Sequence, residues 1–446
     1  MGLIISFILF IASMITMLIT GHSMVWALLI GLVLFTILGL YRLHTGEKLS
    51  LGKASSELAK YGWGTIKDSL IVIEVMLIIG LITAAWRVSG TITVFVYFGM
   101  KIIVPPLFLL ITFLLSCFLS YAIGTSFGVA GTVGVIFMAL ARSGGVDPIL
   151  TAGVLMSGVY FGDRGSPVSS SANMVAGVTK TDILTNVRLM MRTAILPMVI
   201  TTAVYAVLSV MNPISHVDEG ILTAFEEEFT LSPWSFLPAA IMILLPLIKV
   251  GVILSITLSI IAGMAVAWLV EKAALLEICK ILITGYRSTG DGLSAILDGG
   301  GLVSMLEIVI ILIISCAYSG IFTRTGMLNN LLTFIEKGCV KIGRFSVSLI
   351  VSILTCVVFC NQTIATLMCN DLLTRPYLNT GGSRQELAID MENTVIIIVG
   401  LIPWTIASTV PLTFFGVGMA ALPWALYLYM VPLCYFFTKK RHKGLV

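Results

Sequence analysis

Apolar runs that reach or approach the roughly 20 residues a helix needs to cross a hydrocarbon core of about 30 Å recur from one end of this chain to the other. They fall near 3–20, 24–41, 69–86, 102–122, 193–210, 234–249, 251–270, 303–322, 343–360, 392–410 and 412–436. Shorter glycine-rich apolar pieces lie between some of them, so the length rule leads us to expect about ten to fourteen crossings. No gap is wide enough for a soluble domain. Composition agrees, with 58% hydrophobic and 11% charged residues where soluble domains carry about 25% charged. The expected fold is an all-α polytopic membrane protein with the lipid bilayer as its solvent and no nucleic-acid partner.

No Lys or Arg precedes Arg42 and a second run follows the first at once, so the first run reads as a retained helix and not a cleaved signal. The eight cysteines, Cys117, Cys279, Cys316, Cys339, Cys356, Cys360, Cys369 and Cys434, show no paired CxxC spacing and read as small hydrophobes. His22, His44, His216 and His442 are scattered and form no ligand pair. Short cytoplasmic loops hold the excess of Lys and Arg. The loop at 42–68, with Arg42, Lys48, Lys53, Lys60 and Lys67, therefore reads as cytoplasmic, as do 177–192 with Lys180, Arg188 and Arg192 and the tail Lys439, Lys440, Arg441 and Lys443. The segment 211–232 has no Lys or Arg and carries Asp218, Glu219, Glu226, Glu227 and Glu228, so it reads as external. Both termini are then cytoplasmic in a multi-pass protein of the cell inner membrane, and each half crosses an odd number of times.

Halves with odd crossings run antiparallel, and one offset aligns their landmarks. Gly90 falls on Gly326, Trp86 on Phe322, Pro167 on Pro403 and "GTSFG" at 124–128 on "CNQTI" at 360–364, each 236 residues apart. Two inverted-topology repeats, 1–215 and 216–446, with discontinuous helices at matching places are the sequence pointer to a secondary transporter. Breaks are expected near 124–126, 162–168, 360–363 and 402–405.

The most polar break is "GVYFGDRGSPVSSSANMVAG" at 158–177, and unwound backbone at membrane depth is tolerated only where protein buries it or where it lines a wet cavity. Asp163 is its one carboxylate, and such a group costs about 2.5–3.5 kcal/mol on insertion scales, which makes it a functional candidate. The bland alternatives are pairing with Arg164, weakened because adjacent residues point apart on a helix unless it is unwound, and a place at the water interface. Thr125, Ser126, Ser166, Ser169, Ser170 and Asn173 supply further oxygens for a cation or proton site. Asn361, Gln362 and Thr363, for which helix–helix hydrogen bonding is the structural alternative, are candidates for the substrate pathway, as are Trp404, Thr405, Ser408 and Thr409. Glu74 is a second carboxylate within a span, while Glu307 and Asp371 read as interfacial. Nothing resembles a nucleotide site, a serine triad or HExxH, so transport falls to an ion gradient.

At these residues the chain resembles the NhaC family of bacterial sodium/proton antiporters, in the wider ion-transporter superfamily. "GTSFGVAGTVGV" at 124–135, "YFGDRGSPVSSSAN" at 160–173 and "LIPWTIAS" at 401–408 carry the resemblance in order and spacing. It implies sodium bound against protons, or an organic acid such as malate or lactate exchanged, with Na⁺ and H⁺ as cargo and no cofactor. It also implies sodium at Asp163 and a homodimer. The family pattern has an aspartate and two threonines where this chain has Ser170, Ser171 and Ala172, and "DMENT" at 390–394 departs from an acidic-glycine pattern. Fewer anionic ligands weaken a site for hard cations.

Two other classes stand beside the antiporter. One is a transporter of an amino or carboxylic acid, with helix N-termini and Arg164 holding its carboxylate. The other is an intramembrane enzyme, which lacks a second acid because 395–409 has none, so no enzyme is expected. In the antiporter reading burial disfavours the charged form of Asp163 and a nearby cation favours it. Proton and cation then compete for one group.

Overall fold

The computed structural model describes residues 2–46, 48–102, 104–214, 219–248, 250–289, 293–325 and 332–442. Asp218, His216, Gly326 and Lys443 lie outside them. Among the described residues the protein is all-helical, with a lone β-bridge between Tyr286 and Gly299. Six described helices are long and apolar enough to cross a membrane, nine if each of three bent pairs is one span, and Ile5–Thr20 and Arg344–Phe359 are shorter apolar helices. Those two added to the nine make eleven, inside the range expected from the length rule. The apolar run 392–410 is interrupted: Arg384–Leu401 and Ile406–Phe415 meet at a bend of 51°.

The expected loop at 42–68 is largely a helix, Leu51–Asp68. Ala54 and Leu58, four residues apart, are buried, while Lys53, Lys60 and Lys67 stay exposed. That stripe lets a charged segment lie along the protein without crossing lipid. Part of the acidic segment is helical too, Glu219–Glu228.

Ten helices position the site: α1 Phe108–Ile123, α2 Ser126–Ser143, α3 Pro148–Gly165, α4 Ser170–Thr179, α5 Ile183–Met211, α6 Arg344–Phe359, α7 Gln362–Asn379, α8 Arg384–Glu392, α9 Ile406–Phe415 and α10 Leu426–His442. The starts of α1 and α6, α2 and α7, α3 and α8, and α4 and α9 are each 236 residues apart. The breaks share their chemistry as well as their place. Gly124 (φ 75°) ends α1 and Cys360 (φ 55°) ends α6, both left-handed, which turns the chain sharply out of the helix. Thr125 and Asn361 then cap α2 and α7, as Ser169 and Thr405 cap α4 and α9. Each cap side chain accepts an N–H that the first helical turn leaves unpaired.

The break after α3 comes later than the glycines suggest. Gly162 and Gly165 are still helical, and the chain leaves the helix at Ser166 (ψ 137°) because the residue before Pro167 is pushed out of the helical region. Asp163 therefore sits on the last turn of a helix and not on unwound backbone. Gly162 serves packing, since a Cβ there would lie 1.9 Å from the Ser120 carbonyl carbon. At that point the backbones of α1 and α3 touch.

Candidate functional site

Asp163 is 3% exposed, and its carboxylate gathers donors from both halves of the chain. Ser171 Oγ donates to its two oxygens at 3.1 and 3.2 Å, and Gln362 Nε2 donates to one of them at 2.9 Å. Gln362 Nε2 also donates to Ser171 Oγ at 2.9 Å, and the Ser126 backbone N–H points at the carboxylate. Ser126 is the first residue of α2, Gln362 the first of α7, and Ser171 lies in the first turn of α4. Three helix N-termini, each with free N–H groups and the positive end of its dipole, so converge on one acid. They stabilise negative charge without a fixed cation.

The same groups line a cavity of about 380 Å³. Thr125, Ser126, Asp163, Ser170, Ser171, Asn361, Gln362 and Thr363 form its polar wall, and Met76, Ile256 and Ala407 are among its apolar side. Thr125 and Asn361 face it, yet their side-chain oxygens are committed to capping Gly128 N and to Thr363 N and Ile364 N. Ser170 and Thr363 are exposed on the cavity wall.

Other candidates from the sequence hold backbone. Ser166 donates to Tyr121 O and Ser169 to the Asp163 carbonyl, while Asn173 donates to Pro167 O and Ser169 O. Trp404 Nε1 donates to Val357 O, Thr405 Oγ1 to Val399 O and Ile402 O, Ser408 Oγ to Ile402 O, and Thr409 Oγ1 to Thr405 O. These four are absent from the cavity lining; Ile406 and Ala407 represent that break there. Glu74 is exposed and off the lining, although its neighbours Val75 and Met76 are on it. Glu307 is exposed and accepts from Ser23 Oγ, and Asp371 lines a separate opening with Arg375 and Arg384.

Arg164 does not pair with Asp163. Fully buried, it reaches away to Tyr427 Oη (3.0 Å), Met190 O (3.0 Å) and Thr193 Oγ1 (2.6 Å). Residues missed in the sequence are Ser171, one place beyond the serine singled out, and Glu392, three places before the stretch searched for a second acid. Glu392 is fully buried at the end of α8, within the field of Asp163 and Arg164. The signal available was an acid inside "DMENT", which the family departure had drawn attention to.

Among the described residues no group of three or more His, Cys, Asp or Glu is placed to hold a metal ion. The cavity instead offers one carboxylate with hydroxyl and amide oxygens, a donor set that suits a weakly held hard monovalent cation better than a multivalent one.

Known proteins with related sequences are transporters. The chain is 28% identical over 378 residues to the Na(+)/H(+) antiporter NhaC of Bacillus subtilis, covering 82% of this chain and 83% of that protein. It is 26% identical over 350 residues to the malate-2H(+)/Na(+)-lactate antiporter of the same organism, covering 76% and 74%. It is 28% identical over 326 residues to the arginine/ornithine antiporter ArcD of Halobacterium salinarum, covering 67% and 66%. The Na+/H+ antiporter family matches residues 1–171 and 158–438. A buried acid held by breaks from both halves of a helical membrane protein is thus found in a chain that belongs to the Na+/H+ antiporter family.

Proposed function

We propose that the protein exchanges sodium for protons by alternating access, with the cation held in the cavity at Asp163. The observation that carries this reading is the convergence of Ser126, Ser171 and Gln362, from separate helix ends in both halves, on one buried carboxylate. A cation at the carboxylate and a proton neutralise the same charge, so each excludes the other. The empty charged state is disfavoured from moving because it would take a bare carboxylate through low dielectric. Repeats 1–215 and 216–446 of inverted topology, both termini cytoplasmic and a location in the inner membrane accord with the loop charges and the common offset. Na⁺ and H⁺ are cargo, and no cofactor is involved.

The test is Asp163→Asn in proteoliposomes. The amide keeps the shape of the acid and one of its two accepting oxygens but cannot titrate or offer a charge, so sodium-driven proton flux should fall to the level of empty liposomes. Wild-type flux from correctly inserted Asp163→Asn would remove Asp163 from the site.

A second reading, exchange of an organic or amino acid such as malate for lactate, is favoured by the cavity itself. Its volume of about 380 Å³ is some ten times the roughly 30 Å³ share of a water molecule, and it has an apolar side. Arg164, however, is turned away from it toward α5 and α10. Uptake of labelled malate, lactate or arginine into sodium-loaded liposomes separates the two readings.

A further inference from the structure

Four polar atoms on neighbouring residues behind the cation cavity have no hydrogen-bond partner: both carboxylate oxygens of Glu392, Nε of Arg164 and Nδ2 of Asn393. All three side chains are completely buried. Buried polar groups are nearly always paired, so a cluster of orphans asks for an explanation. Glu392 is the sharpest case. A buried carboxylate with no donor on either oxygen is costly in its charged form. Asp163 has the opposite surroundings, with Gln362 Nε2 and Ser171 Oγ donating to it and the N-terminus of α2 at Ser126 lining the same cavity.

We propose that the exchanged proton rides on Glu392, while Asp163 stays charged as the cation's ligand and the fixed charge of Arg164 links the two. This rests on the exchanger reading above and moves the proton from Asp163, where the sequence alone would place it. Asn393, the next residue after Glu392, accepts from Thr193 Oγ1 at 3.3 Å, and Thr193 Oγ1 accepts from Arg164 at 2.6 Å, so Glu392 lies beside the charges of Arg164 and its neighbour Asp163. Elsewhere on α8, Asp390 is paired with Lys439 of α10 and accepts from Tyr377 of α7, and Glu386 is paired with Arg344 of α6 and with Lys439.

Charge then explains why two ions on different residues compete. A guanidinium carries one positive charge in proteins, so Arg164, Asp163 and Glu392 together lack one positive charge, which one proton on Glu392 or one monovalent cation at Asp163 supplies. Both at once leave a buried uncompensated charge, as does neither. In the balanced step the cation arrives from water, the O–H bond of Glu392 breaks, and its proton passes to water on the open side.

The experiment measures sodium binding to the detergent-purified full chain across pH. Wild-type affinity should weaken as the medium is acidified. Glu392→Gln starts from a neutral cluster, so it should bind sodium about tenfold more weakly, as expected for losing one nearby charge in a protein interior, and with the pH dependence gone over the same range. Glu392→Gln that keeps the wild-type pH dependence overturns the proposal. Asp163→Asn reports separately on the parent reading: sodium binding at wild-type affinity there sinks the cation site itself. A readout on unmutated protein guards against a variant that does not fold. On sodium addition, infrared difference spectra should lose a protonated-carboxyl band that shifts with isotope-labelled glutamate. A band that shifts with labelled aspartate instead returns the proton to Asp163.

Discussion

Ser170 and Ser171 are adjacent, yet one faces the cavity exposed and the other is 8% exposed and bonded to Asp163. A step along a helix rotates the side chain by about 100°, so which serine serves the acid depends on how α4 is turned against α7. For this reason the sequence alone does not distinguish Ser171 from Ser170. Ser126, Gln362 and Asp163 were legible because polar groups beside a chain break inside an apolar run have few uses other than lining a wet site. The resemblance read from the sequence puts an aspartate at the position of Ser170, which yields a prediction. Ser170→Asp adds a carboxylate to the wall of the same cavity and should lower the sodium concentration for half-maximal proton flux by about tenfold, the equivalent of roughly 1.4 kcal/mol of added charge attraction. Unchanged sodium dependence in liposomes would show that position 170 lies outside the cation's reach.

Helix α3 is held by contact at a glycine and ended by a proline, and these two roles could not be told apart in the sequence. Gly162 looked like part of the break, but it is the point where α3 meets the α1 backbone. Gly162→Ala would put a methyl group 1.9 Å from the Ser120 carbonyl carbon, and backbone, unlike a long side chain, cannot swing aside. Overpacking of this kind costs about 1–3 kcal/mol, so the melting temperature of the purified protein should fall and exchange should suffer, since Asp163 follows directly. Gly177 of α4 has nothing within 4 Å of an added Cβ. Gly177→Ala should hold or raise the melting temperature, because alanine is favoured over glycine in a helix by up to about 1 kcal/mol. Equal destabilisation by both changes would mean that the α1–α3 contact is looser than these distances. The caps tell the same story more simply. Asn361 accepts from Thr363 N and Ile364 N, so Asn361→Ala should cost about 1 kcal/mol in the same melting experiment.

Across the whole molecule the shared order of elements in the two halves has a topological consequence that labelling can check. Seven of the eight cysteines are buried and Cys279 alone is exposed, so Cys279→Ser provides a quiet background. In it, Thr230→Cys should react with a membrane-impermeant maleimide in intact cells, and Lys440→Cys only after permeabilisation. Reaction of both from one side would break the odd-crossing argument and the inverted relation of the repeats with it. The membrane class, the interrupted helices, the offset of 236 residues and the acid at the centre could all be read from the chain alone. Each depends on local composition, on where an apolar run is long enough and where glycine, proline or a capping residue interrupts it. The tertiary structure decided which groups meet: that Gln362 and Asp163, 199 residues apart, share a hydrogen bond, that Arg164 turns away, and that Glu392 lies buried within the field of Asp163. Those facts depend on the rotation and depth of helices packed through backbone contact, and no local pattern in the sequence encodes a distance between two helices.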